Sequence, residues 1–473
     1  MTSSSKPETA TIIGGGITGL AAAWKLKQRS PDTRITILEA AEQFGGVLQT
    51  HQISGYLVEA AADMFTCQPP AALELCHELG LDDLLTTTEP KHKAFVGMQD
   101  KVVPVPAGFS LMVPAQSQSI LDWPLMSESG KQRLLDEVNV TSCHDWTNSD
   151  EDFESFAVRR FGQEAFEVLI QPLVSGIYSA DPKKLSMKAT MKRFVDMEQK
   201  HGSLIKAVTA KAASSDAKAS GARYNLFRTP KAGFSSLVDA LINDIENQDG
   251  IEIKTATKVH SISQSTTGRW VANLENSTIE SDAMIVTAPT EAAAALMSNF
   301  DQLADELSGI VSTSCAVVAM GIDRRELPTN FDGFGIIYPH IDGGSTIAIS
   351  FSSNKFPHRA PDGKMLLRFF IGGALQESLV DLPDETLVKL ALDQFETSLG
   401  CRPSPEFQSV FRWKKAMPQY HVGHLDRVSR IESLTAAMPG FELAGKSYRG
   451  VGIPACIESG INAVDGILNR SGY

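Results

Sequence analysis

Near the start of the chain, Gly14-Gly15-Gly16-Ile17-Thr18-Gly19 has the glycine spacing that lets a backbone wrap a pyrophosphate. Glu39 follows the last of these glycines by about twenty positions, the separation at which an acid meets an adenosine ribose. Each residue has a task in that chemistry. Gly14 makes the tight turn, Gly16 lets backbone approach the phosphates, and Gly19 lets a helix pack closely on a sheet. The first N–H groups of that helix then face the anion. A carboxylate at Glu39 accepts both ribose hydroxyls and repels a 2′-phosphate, so FAD or NAD is expected and NADP is not.

These residues need a strand, a turn and a helix to hold them. Ala10 to Ile13 reads as a buried strand, Ile17 to Arg29 as a helix and Arg34 to Leu38 as a second strand. A second glycine pair, Gly45-Gly46, follows Phe44 and is close enough to return backbone to the same ligand. Further strands are expected at Tyr56–Glu59, 251–255, 258–262, 270–274 and 282–287, with helices over 69–79 and 234–245. Phe95 to Val105 alternates like one edge strand, ending at Pro104 and Pro106. The stretches 311–322, 335–338, 345–351 and 364–373 read as a separate sheet covered by a helix at 384–399. Residues 127–205 are mainly helical in pattern. Ala207 to Gly221 is low in complexity and is expected to be a loop. Phe441 to Gly445 reads as a last strand and 460–468 as a closing helix.

At 473 residues the chain is too long for one core. A formal charge of −13 argues against general nucleic-acid binding and requires a local basic patch for any anionic substrate. The six cysteines are scattered, with no CxxC pair, so a metal cluster or redox dithiol is not expected, and reduced thiols fit the cytoplasm. The start has no apolar secretory segment, and no apolar run reaches the ~18 residues needed to span a bilayer. Phe109, Leu111, Met112, Val113, Ile120, Leu121 and Trp123 form an apolar stretch suited to lipid or to a substrate entry. Prolines and glutamines interrupt it, and no basic amphipathic helix accompanies it, so membrane contact is not favoured.

Four segments in order resemble a known family. The N-terminal fingerprint with Gly45-Gly46 is similar to that of FAD oxidoreductases related to amine oxidases. Pro172–Met187, Gly333–Pro339, Pro418–His424 and Leu443–Gly460 resemble segments of the oxygen-dependent protoporphyrinogen and coproporphyrinogen oxidases. The resemblance implies a fold of class α/β and α+β. Its parts are a Rossmann-like FAD-binding domain of the GR2 type (1–88, 224–290, 435–473), a mixed-sheet substrate domain (89–105, 291–434) and a helical lobe (106–223). It implies non-covalent FAD, and oxidation of a porphyrinogen by O2 with release of H2O2 in haem synthesis. No side chain is expected to be catalytic, because the flavin carries the chemistry.

On the family pattern, Gly14, Gly15, Gly16, Ile17, Thr18, Gly19, Glu39 and Ala40 hold the ADP half. Gly46, Val47, Ala61, Ala62, Asp63 and Met64 lie near the cofactor, Val259 holds adenine by its backbone, and Val451, Gly452 and Ile453 approach the isoalloxazine. Gly176 and Ile177 match residues lining the porphyrinogen cavity, and Ile337, Leu367 and Phe369 are expected to sandwich pyrroles. Lys91-His92-Lys93 stands where relatives place a propionate-binding arginine, and Gln43 replaces a usual arginine before the glycine pair. Two ammonium groups hold carboxylates without a planar fork. Lys183, Lys184 and Arg193 are candidates for a wider basic rim, which would favour the four carboxylates of coproporphyrinogen over the two of protoporphyrinogen. An amine oxidase, a carotenoid desaturase and a non-catalytic flavin or tetrapyrrole carrier stay open on the residues alone.

Overall fold

The computed structural model describes residues 6–88, 93–142, 144–214, 226–328 and 331–469. A five-stranded parallel sheet runs Ile251–Lys254, Arg34–Leu38, Thr9–Ile13, Ala283–Val286, Phe441–Leu443 in spatial order, so three distant stretches of chain share it. Ala283 to Val286 are fully buried, as parallel strands covered on both faces must be. Helices Ile17–Arg29, Phe234–Glu246 and Ile453–Asn469 pack one face through Leu20, Leu237, Ile457 and Val464. A Cβ on Gly460 would lie 2.4 Å from the Thr18 carbonyl oxygen, so glycine there lets the closing helix touch the first one. That helix begins at Ile453, not at Gly460 as the sequence suggested. Pro454 looks like a breaker, but in a first turn its missing N–H has no partner to lose.

The second large sheet has seven strands. Their order is Phe407–Pro418, Ser312–Asp323, Lys364–Gly372, Thr346–Phe351, Gly333–Ile337, Lys93–Met98, Lys101–Pro104. Neighbours are antiparallel except Gly333–Ile337 with Lys93–Met98, so the sheet is mixed. The single strand expected over 95–105 is a hairpin, turning through Gln99 at φ 56°. Helix Asp384–Leu399 covers one face, where Met320, Ile322, Leu367, Phe369 and Ile371 meet Leu387, Ala391 and Phe395.

The helical lobe has its own core of Phe153, Phe156, Phe161, Leu169 and Phe194. Phe109, Met112, Val113, Ile120 and Trp123 are buried in it too. The apolar stretch offered to lipid is therefore mostly interior, with Leu121 its exposed exception at 39%. Arg160, wholly buried, pairs with Glu137 and Glu198 and ties the lobe's helices together. Leu204–Ser214 is a helix where a loop was expected from Ala207 onward, because alanine favours helix as strongly as it lowers complexity; 215–221 lie outside the described residues. Among the described residues no helix is long and apolar enough to cross a membrane.

Candidate active site

The nucleotide end is built from backbone. Gly14 sits at φ +110°, and a Cβ on Gly19 would stand 2.0 Å from the Gly14 carbonyl oxygen, so neither position admits a side chain. Gly16 differs. No atom lies within 4 Å of where its Cβ would be, so the start of the first helix opens onto free space. Ile17 and Thr18, in the first turn of that helix, are buried. Gly45 N–H donates to the Gly15 carbonyl at 2.8 Å, which brings Gly46 (φ +60°) and the half-buried Val47 alongside.

Glu39 sits at the end of its strand with Oε2 accepting from Gly15 N–H at 2.7 Å and Oε1 from Ala41 N–H at 2.8 Å. Each oxygen keeps a lone pair for a ribose hydroxyl. Ala40 beside it is exposed. Thr257 N–H donates to the Glu39 carbonyl at 2.8 Å and draws the following segment in. The Val259 side chain packs with Ile13 and Leu38, so only its backbone is left for a base. This donor set and the open cradle at Gly16 fit the ADP half of FAD.

Two further segments belong to the expected cofactor site. Ala61, Ala62, Asp63 and Met64 are half-buried, and the substrate sheet grips them from behind. Trp413 Nε1 donates to the Ala60 carbonyl at 2.8 Å and Arg368 donates to that of Ala61. Val451 is half-buried, Gly452 is exposed, and Ile453 opens the closing helix. The loop before them is braced by the Pro418–His424 motif, whose role the sequence did not reveal. Tyr420 Oη donates to the Lys446 carbonyl at 2.5 Å and accepts from Gly450 N–H at 2.8 Å. His424 Nε2 donates to the Tyr448 carbonyl at 2.8 Å. The two rings stack, with centroids 4.0 Å apart. Ser186 of the lobe donates its N–H to the Tyr420 carbonyl at 2.8 Å, so one motif joins the lobe, the substrate sheet and the terminal loop. Burial holds the His424 imidazole below its usual pKa, against the pull of the Tyr448 carbonyl.

On the substrate side, alternation along Lys364–Gly372 corrects part of the expected lining. Leu367 and Phe369 are fully buried and point at helix Asp384–Leu399, Phe369 lying 6.2 Å from the Phe395 ring. They are core, because a strand sends successive side chains to opposite faces. Leu366, Arg368 and Phe370 occupy the other face, where Leu366 packs on Tyr56 and Val58 of the nucleotide domain. Ile337 is half-buried and packs against the lobe cluster. Gly176 and Ile177 are exposed on helix Gln171–Tyr178, which lies against strands Gly333–Ile337 and Thr346–Phe351. A Cβ on Gly176 would meet nothing within 4 Å. Between this helix and the sheet lies a small open pocket of about 30 Å³, lined by Gln171, Ser175, Ser179, Tyr338 and Thr346. Lys93 is exposed at the start of its strand, whereas Lys91 and His92 lie outside the described residues. Lys183, Lys184 and Arg193 are exposed on the lobe, with Lys184 3.3 Å from Asp181.

Comparison with known proteins gives the same picture from end to end. The family model for flavin containing amine oxidoreductases matches residues 17–468. The chain is 35% identical to the coproporphyrinogen III oxidase of Bacillus subtilis (strain 168), covering 97% of each chain. It is 30% identical to the Staphylococcus aureus enzyme of the same name (98% and 99% covered) and 29% identical to the chloroplastic protoporphyrinogen oxidase of Nicotiana tabacum (98% and 86%). Among solved structures, a candidate protoporphyrinogen oxidase from Exiguobacterium sp. 255-15 superposes with a TM-score of 0.86 at 28% identity, covering 98% of this chain and 99% of that one. Putrescine oxidase, at 14% identity and a TM-score of 0.70 (98% and 99% covered), shares the fold. The chain belongs to the flavin containing amine oxidoreductase family, and its cofactor is FAD.

Proposed function

We propose that the protein oxidises a porphyrinogen to the porphyrin in haem synthesis, taking coproporphyrinogen III ahead of protoporphyrinogen IX. The observation that carries this reading is the 35% identity, over 97% of both chains, to a coproporphyrinogen III oxidase. The overall change removes six hydrogens and consumes three O2, giving three H2O2. Bound FAD supplies the two-electron oxidation. The chain's residues bind and orient. Gly14 to Gly19, Glu39, Ala40 and the Val259 backbone hold the ADP half, with Gly46 and Val47 beside them. Ala61, Ala62, Asp63 and Met64 lie on one side of the isoalloxazine and Val451, Gly452 and Ile453 on another, where the N-terminus of the closing helix favours negative charge.

Gly176, Ile177 and Ile337 line the macrocycle's slot, joined by Phe370 in place of Leu367 and Phe369. Lys91, His92, Lys93 and the lobe lysines take the carboxylates. Binding of FAD is non-covalent: Cys456, the cysteine nearest the terminal motif, is buried, and burial pushes its thiol up to about 11. Cys76, Cys315, Cys401 and Cys456 are free thiols, which fits the reducing cytoplasm.

Anaerobic mixing of the purified holoprotein with each porphyrinogen tests the reading. Flavin bleaching with rising porphyrin fluorescence is expected, with the higher kcat/KM and the steeper loss with salt for coproporphyrinogen III. Bleaching by an amine alone, or binding without bleaching, would overturn it.

A further inference from the structure

Beneath the Ala61–Met64 segment lies a charged cluster that the ADP site and the substrate slot do not use. Arg368, 1% exposed, places Nη1 3.1 Å from Asp63 Oδ2 while Nη2 donates to the Ala61 carbonyl. Lys355 Nζ lies 3.3 Å from the same Asp63 oxygen and 4.5 Å over the Phe334 ring. Arg359 Nη1 meets Glu59 Oε1 at 2.5 Å, and Glu59 ends the strand from which the segment departs. Three cationic side chains thus face two carboxylates away from water. Arg368 Nε and Arg359 Nε find no hydrogen-bond partner among the described residues.

Burial opposes every charge here. It pushes the Asp63 carboxyl up, but Lys355 and Arg368 together outweigh it and hold the group at about 2. Burial also holds Lys355 and Arg368 below their usual ranges, against the pull of Asp63. Packing positive charge without full compensation is unfavourable unless negative charge arises nearby. The group beside this segment that gains negative charge in turnover is the flavin, as electrons arrive.

We propose that Asp63, Lys355 and Arg368, backed by Glu59 and Arg359, are positioning residues that seat the Ala61–Met64 segment and bias the bound flavin toward its reduced form. This rests on the reading that Ala61–Met64 faces the isoalloxazine. The proposal concerns the sign of a field as well as a geometry, and that makes it testable without turnover. Arg368 is the better probe than Lys355, because a guanidinium does not shed its charge.

The experiment is a spectroelectrochemical titration of the FAD-loaded protein. Arg368→Gln should lower the flavin midpoint potential, shifting the reduced-to-oxidised balance about tenfold, or about 30 mV for a two-electron couple. Asp63→Asn should raise it. Both variants break the same ion pair, so loosened packing alone moves the two potentials together, and that result would overturn the proposal. Arg368→Lys keeps the charge and should hold the potential near that of the parent; a fall matching Arg368→Gln would also overturn it. Ala62→Leu, read by flavin fluorescence, separates the two claims. Weaker FAD binding supports the placement of the segment. Unchanged binding removes that placement and the proposal with it.

Discussion

The nucleotide end and the proposed substrate slot are encoded in the sequence in different ways. At the nucleotide end the ligand meets backbone, and backbone shape is written in short runs of glycine at fixed spacing. At the proposed slot a ligand would meet side chains from several strands that come together only through register. A shift of one position along Lys364–Gly372 exchanges Phe369 for Phe370 and turns core into lining. A local code survives being read from one dimension. A register code does not.

The largest expected effect separates two glycines inside the first code. Gly19→Val would drive a side chain into the Gly14 carbonyl, where its Cβ already stands 2.0 Å from the oxygen. A loss of about 5 kcal/mol is expected, enough to abolish the fold, since no flexible side chain can give way. Gly16→Ala, placed in open space, should leave the melting temperature of the cofactor-free protein unchanged and weaken FAD binding about tenfold or more. Equal damage to stability from both would mean that the cradle at Gly16 is ordinary packing.

The second contrast puts the register to work. Phe369→Ala leaves a hole between the sheet and Phe395 and should cost about 3–5 kcal/mol, with kcat/KM per folded molecule nearly intact. Phe370→Ala, on the half-buried face beside Arg368, should cost about 1 kcal/mol of stability and lower kcat/KM for the porphyrinogen about tenfold. Denaturation and steady-state kinetics on the same preparations decide it. The reverse pattern would restore Leu367 and Phe369 as lining.

Much of the fold was legible for the same reason as the fingerprint. Helix 384–399 and strand 34–38 keep the bounds read from their residues. The misses share a cause of their own. The closing helix begins seven residues ahead of the expected Gly460, with Pro454 in its first turn, where a missing N–H costs nothing. The stretch at Ala207 reads as a loop by composition, which cannot tell a helix packed on a lobe from a free segment. The brace at Tyr420 and His424 was visible as a motif without a mechanism. Its partners, Lys446, Tyr448, Gly450 and Ser186, are distant in sequence, and no local pattern announces them.

That brace supplies a smaller effect. His424 is 4% exposed and its pKa is held low by burial, so it is neutral when folded, whereas the unfolded chain takes up a proton as pH falls through about 6.5. The unfolded state binds more protons below that pH, so stability should decline from about pH 6.5 downward, by about 1 kcal/mol per pH unit until the folded pKa is reached. His424→Asn should reduce this slope in chemical denaturation by the His424 share, leaving the shares of His358 and His421, which burial also holds low. Tyr420→Phe removes two hydrogen bonds to the terminal loop and should loosen FAD about tenfold with no change in the slope. A slope unchanged in His424→Asn would assign the titration to those other groups alone.

The smallest effect tests whether surface charge belongs to the slot at all. Lys184 is exposed, and its pair with Asp181 is of the screened kind, so Lys184→Ala should change stability by less than about 0.5 kcal/mol. If the lobe lysines form the rim for propionates, the same variant should raise KM for coproporphyrinogen III about twofold at low salt, less for protoporphyrinogen IX, and for neither at high salt. A rise that ignores salt would point to a direct fixed contact, and the slot would then be specified by side chains at its mouth as well as by register within it. No change at any salt would leave carboxylate recognition to the stretch at Lys91–Lys93, and the contrast between backbone code and register code would extend to the rim without further terms.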